Sequence, residues 1–302
     1  MKIESFKTLL TVVKHNSITE ASHELFLTQP AVTKRLKNLE NDYGIKIFDR
    51  EKNRMFLTEE GKLLVKYANR IISVYNESFA ALDEQRGLVR GLLKFGVNLT
   101  LGIYVIPRFI KLFEDTYPDV RFKMYTDNSE NVIKLIYNNE INFGIVGIIP
   151  NDSRLVIDPL YKDRLKIVIG SQILFKKKVI SWKELEKIPF IGREKGSDIR
   201  DTYEKWFNKK SIKITPKMEL NNTESIKFSL QCGLGFSILP WCTIEQEIQR
   251  GVLQILTVPG FDSVQQFYIC YYKGKTFSKV EKIFLNYIFR FVEKGDLVLP
   301  SI

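Results

Sequence analysis

Apolar residues recur at steps of three and four over roughly the first eighty-five positions, the period of helices that bury one face. Phe6, Leu9, Leu10 and Val13 share a face of a helix predicted over about 2–14. Ser17-Ile18-Thr19-Glu20 has capping-box spacing, with the hydroxyl and the carboxylate each satisfying the other residue's free backbone N–H, and opens a second helix to about Leu25. A short turn, Phe26-Leu27-Thr28, follows. Thr28 caps a third helix that carries Gln29 and Pro30 in its first turn, where proline's missing N–H has no acceptor to serve. Residues 46–57 read as a small hairpin or wing. Thr58-Glu59-Glu60 then starts a long helix to about Gln85, its acids suited to the N-terminal dipole. Leu64, Ala68, Ile71, Tyr75, Phe79 and Leu82 form a seam for another helix, either in a second copy of the chain or within the same one.

Arg86–Gly91 reads as a hinge, after which the pattern changes. Strands are expected at 92–97, 120–125, 143–148, 165–170, 188–192, 214–220, 236–239 and 266–272. Helices are expected at 101–116, 129–138, 198–208, 223–231 and 277–293. Strands alternating with helices imply layered α/β structure.

Charge alone decides little. The chain has 302 residues and a net charge of +11, which favours polyanionic partners. Residues 1–58 hold only ten Lys/Arg against seven Asp/Glu, so a case for DNA has to rest on a motif. Cys232, Cys242 and Cys270 are odd in number and widely spaced, and are expected to be reduced and mostly buried in a cytoplasmic protein. With only His15 and His23, no metal site is expected. No stretch approaches the ~20 apolar residues of a membrane span.

The motif is two short helices joined by a three-residue turn, a geometry whose second helix can enter a major groove. Val32, Leu36 and Leu39 face inward, so at about 100° per residue Pro30, Thr33, Lys34 and Lys37 face out. Gln29 suits adenine, Lys34 guanine, and Thr33 a base edge or a thymine methyl. Lys37 and the wing residues Arg50, Lys52 and Arg54 suit phosphates, as do the free N–H groups beyond Thr28. The alternative is a solvated face of a helical bundle.

These residues resemble a family. The run Phe6…Ser17-Ile18-Thr19-Glu20-Ala21…Leu25…Thr28-Gln29-Pro30-Ala31-Val32-Thr33-Lys34…Leu36…Leu39-Glu40…Gly44-Ile45-Lys46-Ile47-Phe48-Asp49-Arg50…Leu57-Thr58-Glu59-Glu60-Gly61 closely resembles the N-terminal domain of LysR-type transcriptional regulators. Asn16 stands where the family usually has glycine, and Ser22 where it has a second alanine. The resemblance implies an α+β multidomain chain. A winged helix-turn-helix would occupy 1–58 (its helix-turn-helix about 18–37) and a linker and dimerisation helix 59–88. An effector domain at 91–302 would have two α/β lobes like a periplasmic binding protein, about 91–163 with 265–302, and 164–264. It also implies an inverted-repeat DNA partner, a dimer or tetramer and contact with RNA polymerase. No enzyme activity is expected, because the sequence has no nucleophile elbow, no metal cluster and no histidine beyond His23 to serve as general base.

In such a fold the effector lies between the lobes, near strand ends and helix starts that favour anions. Thr100 matches a family hydroxyl position. Ser129 is the expected cap of its helix, and Gly147 leaves room at a strand end. Arg193, Ser197 and Asp198 surround a helix start, and Thr223 opens another helix. Each hydroxyl can equally be a cap alone. Asn142 replaces the aspartate common at that point of the family. No cofactor is expected, because Gly233-Leu234-Gly235 lacks the rest of a dinucleotide fingerprint and reads as a tight turn.

Overall fold

The computed structural model describes residues 3–51, 54–85, 89–173 and 179–293. Helices α1 (Ile3–His15), α2 (Ile18–Glu24) and α3 (Gln29–Tyr43) close on a core of Phe6, Leu9, Val12, Ala21, Val32, Leu36 and Leu39. The two family departures have physical reasons. Asn16 sits at φ +49, a left-handed turn that glycine enters freely and asparagine tolerates. The Ser22 hydroxyl is buried but donates to the Thr19 carbonyl at 2.7 Å. Of the expected capping box the structure carries the hydroxyl half, with the Glu20 N–H donating to Ser17 Oγ at 3.2 Å.

Strands β1 (Phe48–Glu51) and β2 (Arg54–Leu57) pair antiparallel and form the wing. The chain then turns into α4 (Glu59–Gln85) where the Gly61 N–H donates to Thr58 Oγ1 at 2.9 Å. A Cβ at Gly61 would overlap the Ile47 carbonyl, so only glycine lets helix and wing meet. The seam along α4 divides. Leu64 and Ala68 are buried in the N-terminal core with Ile71 packed against them, the within-chain alternative. Tyr75, Phe79 and Leu82 lie exposed further along, as do Leu63, Tyr67 and Val74 on a neighbouring stripe. Residues 86–88 of the expected hinge lie outside the described residues.

The C-terminal part runs β3 (Gly91–Asn98), α5 (Leu99–Tyr104), α6 (Ile106–Thr116), β4 (Val120–Asp127), α7 (Ser129–Tyr137), β5 (Phe143–Val146) and β6 (Leu155–Gly170). It continues with α8 (Trp182–Leu185), β7 (Ile191–Arg193), α9 (Asp198–Lys209), β8 (Met218–Leu220), α10 (Thr223–Gln231), β9 (Phe236–Pro240) and α11 (Trp241–Gln249). Strands β10 (Leu253–Leu256) and β11 (Val264–Tyr272) and helix α12 (Lys279–Glu293) complete it. Two lobes result. In the first, β3 lies parallel to β4 on one side and β5 on the other, with β11 and the start of β6 extending the sheet antiparallel. Stacked Phe95 and Phe143, with Phe284 against them, centre its core. In the second, the end of β6 pairs with β9 and β10, while β7 and β8 form a parallel pair. Phe190, Tyr203 and Phe236 pack at its centre. The single strand β6 therefore belongs to both lobes.

Three expectations change. The helix expected at 101–116 is two, broken at Val105 (φ −120, ψ −58), because Pro107 cannot donate back to the preceding turn. The strand near 165–170 begins ten residues earlier, with Pro159 accommodated at a bulge where the pairing with β11 shifts register. The cysteines are free, but only Cys270 is buried; Cys242 is half-buried and Cys232 exposed. Helices α8 and α11 and strand β10 were not foreseen. The turn at Gly233–Gly235 is as expected, with positive φ at both glycines.

Candidate DNA-reading face and effector cleft

Thr28 caps α3, its hydroxyl accepting the Ala31 N–H at 3.4 Å. Pro30 occupies the first turn, and Gly44 (φ +64) ends the helix. Because Val32, Leu36 and Leu39 anchor the inner side, Gln29, Pro30, Lys34 and Lys37 are exposed, with Ala31 and Thr33 half-buried beside them. The next guanidinium, Arg35, turns back to the Thr8 hydroxyl at 3.1 Å and braces α3 against α1. Lys52 lies outside the described residues, and so do the side chains of Arg50 and Arg54. Phe26, in the turn before α3, is almost fully exposed at φ +53.

In the two-lobed part, the chain from β3 passes to β4 on one side and then crosses to β5 on the other. Such a switch leaves a crevice at the carboxyl ends of the parallel strands. Asn98, Ser129 and Gly147 stand at those three ends. Into the crevice projects Asp198, from the first turn of α9 in the other lobe. Asn98 Nδ2 donates to Asp198 Oδ2 at 3.0 Å, and Ser129 Oγ donates to the same oxygen. The Gly147 N–H donates to Ser129 Oγ at 2.8 Å and so aims that hydroxyl. A Cβ at Gly147 would collide with the Asp198 carboxylate. Burial pushes the Asp198 carboxyl above its ordinary range, against the hydrogen bonds from Ser129 and Asn98 and the charge of Arg193.

Capping differs from expectation. Ser129 is not the cap of α7; Asn128 is, accepting the Asn131 N–H at 2.8 Å, which releases the serine hydroxyl for Asp198. Asn98 likewise caps α5, leaving Thr100 buried in its first turn, and Asn222 caps α10, leaving the Thr223 hydroxyl to receive Arg193 Nη1 at 3.3 Å. Ser197 precedes α9 without a side-chain cap bond. Arg193 is engaged by Glu194 through two bonds of 2.8 Å. Asn142 bridges α4 to α12. It accepts from Ser73 at 3.2 Å and donates to Glu281 at 2.7 Å, which an aspartate could not do.

The structure thus gathers Ser129, Gly147 and Asp198 at one point, holds Arg193 with Thr223, and leaves Thr100 outside these bonds. Several contributors went unnoticed in the sequence. Asn98 was legible as an asparagine between a strand and a helix. Gln265, which donates to the Gly147 carbonyl at 3.0 Å, was not. Nor was the latch in which Tyr104 Oη donates to Glu224 across the lobes, with Lys227 Nζ 2.9 Å from Glu224, 2.7 Å from Glu247 and 4.9 Å from the Tyr104 ring centroid.

A bare helix-turn-helix face, a long helix and a two-lobed unit with a polar crevice define the class of ligand-responsive DNA-binding proteins. The profile "Bacterial regulatory helix-turn-helix protein, lysR family" matches residues 3–62, and "LysR substrate binding domain" matches residues 86–291. The "HTH-type transcriptional activator CmpR" of Synechocystis sp. is 30% identical over 288 residues, covering 95% of this chain and 94% of that protein. Among solved structures, a cysteine variant of full-length OxyR from Pseudomonas aeruginosa aligns with TM-score 0.75 at 17% identity, over 97% of this chain and 95% of that one. The regulatory domain of Synechocystis CcmR, in complex with 2-PG, aligns with TM-score 0.61 at 28% identity, over 68% of this chain and 98% of that one. The chain belongs to the LysR family of DNA-binding transcriptional regulators. No helix among the described residues is long and apolar enough to cross a membrane.

Proposed function

We propose that this regulator reads an inverted-repeat operator with α3. Gln29, Thr33 and Lys34 would contact base edges, while Thr28, Pro30, Ala31, Lys37, Arg50, Lys52 and Arg54 would hold the backbone and set register. The observation that carries this reading is the solvent-facing first turn of a capped, internally anchored α3. The division is 1–58 for DNA, 59–88 for the linker and 91–302 for the effector domain, its lobes meeting near residues 163 and 265. The exposed apolar stripes of α4 pair two copies, which set two recognition helices on half-sites, and pairs of dimers give a tetramer.

A small anionic metabolite binds between the lobes near Thr100, Ser129, Gly147, Arg193, Ser197, Asp198 and Thr223, as the 2-PG complex of CcmR supports by analogy. It is bound and released unchanged in the cytoplasm, with no catalytic role. Differential affinity for two subunit arrangements alters access by RNA polymerase. The test is footprinting of the full-length protein on DNA upstream of its own and divergent genes at moderate salt. Two spaced protections, shifted by a metabolite, are expected; no protection in any condition contradicts the reading.

A further inference from the structure

The crevice that should receive an effector's anion already holds one. Asp198 is 7% exposed and reaches out of its own lobe to meet two donors of the other, the Asn98 amide and the Ser129 hydroxyl. Both donors are themselves buried. Ser129 is aimed by the Gly147 N–H, and Gly147 lacks the Cβ that would exclude the carboxylate. The backbone is fixed as well. Thr202 donates to the Asp198 carbonyl at 2.8 Å, and Gln265 at the start of β11 ties down the Gly147 carbonyl. The Asn98 amide and the Ser129 hydroxyl, donors suited to a free carboxylate at this switch point, are both spent on a carboxylate of the chain.

We infer that Asp198 is a tethered competitor of the effector: a side-chain carboxylate that fills the oxyanion subsite formed by Asn98 and Ser129 and holds the lobes together until a free carboxylate or phosphate displaces it. This rests on the effector-cleft reading above and adds what that cleft contains at rest. A tethered group acts at high local concentration, so a free anion reaches its donors only after a penalty set by the closed population. The second contact across the lobes, Tyr104 with Glu224 and Lys227, keeps the two halves aligned while the carboxylate exchanges.

Replacing Asp198 by glycine deletes a side chain that acetate closely matches in size, so acetate itself is the probe. Full-length wild type, Asp198→Gly and Asp198→Asn are titrated with acetate by calorimetry and thermal melting, with chloride at matched ionic strength as control. Asp198→Gly is expected to bind acetate at least about tenfold more tightly than wild type and to melt higher as acetate rises. Asp198→Asn, whose amide oxygen accepts the same two bonds, is expected to stay as insensitive as wild type; should the glycine variant fold poorly, Asp198→Ala, which frees the same two donors, is titrated with formate in its place and is expected to gain the response that wild type lacks. Equal acetate responses in wild type and Asp198→Gly overturn the inference, and so does strong acetate binding by Asp198→Asn. Operator footprints on the same preparations separate the two levels. A wild type that never protects DNA contradicts the regulator reading and leaves the acetate comparison standing.

Discussion

At the start of α3, Gln29 and Pro30 stand in solvent, as does Lys34 one turn further on; at the first turn of α9, Asp198 is buried beneath two donors from another lobe. Both are helix starts carrying polar side chains, yet their surroundings are opposite. A duplex is large, external and supplies its own hydrogen-bonding groups, so the side chains proposed to read it stay bare, and the scaffold beneath holds them through Val32, Leu36 and Leu39. A cleft that excludes water cannot leave donors unpaired without a cost of about 1–3 kcal/mol each, so it satisfies them from within the chain. In one region, substituting a solvent-facing side chain that takes no part in capping should change affinity and spare the fold. In the other, the fold feels it first.

The largest expected effect tests the cleft side. Lys227 is buried between Glu224 and Glu247 and lies over the Tyr104 ring. Lys227→Ala leaves Glu247 without its cation and is expected to cost about 3 kcal/mol in urea denaturation, with operator affinity of the folded protein unchanged. A loss confined to DNA binding would break the contrast. Next in size is Thr28→Ala, which removes the cap of α3. About 1 kcal/mol of stability is expected to go, with a parallel fall in operator affinity.

The smallest effect is a pH dependence. Burial raises the Asp198 carboxyl, so between the unfolded and folded values the folded chain binds the extra proton and its stability falls as pH rises. Asp201 and Arg193 act on the same group with opposite sign. Asp198→Asn should therefore melt above wild type at neutral pH, the gap narrowing as pH drops through the raised value and closing below the ordinary carboxylate range. A gap that widens on acidification would contradict the burial argument.

The N-terminal part was legible because its signals are local. Thr28-Gln29-Pro30, the inward triplet of α3 and the Thr58-x-x-Gly61 entry each act within a few residues of chain. The cleft was half legible. Ser129, Gly147 and Asp198 could be nominated from strand–helix junctions, but their partnership spans 69 residues from Ser129 to Asp198 and depends on how the lobes close. Asparagine caps at 98, 128 and 222 took over the task assumed for neighbouring hydroxyls, and no spacing rule distinguishes the two. The first half of β6 was missed because Pro159 and alternating charge mask a strand that one bulge rescues. The break in the helix expected at 101–116 is hidden because apolar residues continue across it, while Pro107 in the first turn of α6 starts a new helix.

Lys34 decides the central claim most directly. Fluorescence-anisotropy titrations of wild type and Lys34→Glu against the footprinted operator, at one fixed salt and with melting checked on both, isolate the exposed face of α3. A loss of about tenfold to a hundredfold in affinity with an unchanged melting temperature is the predicted result. Unchanged operator affinity in the charge-reversed protein would contradict the assignment of α3 as the reading element.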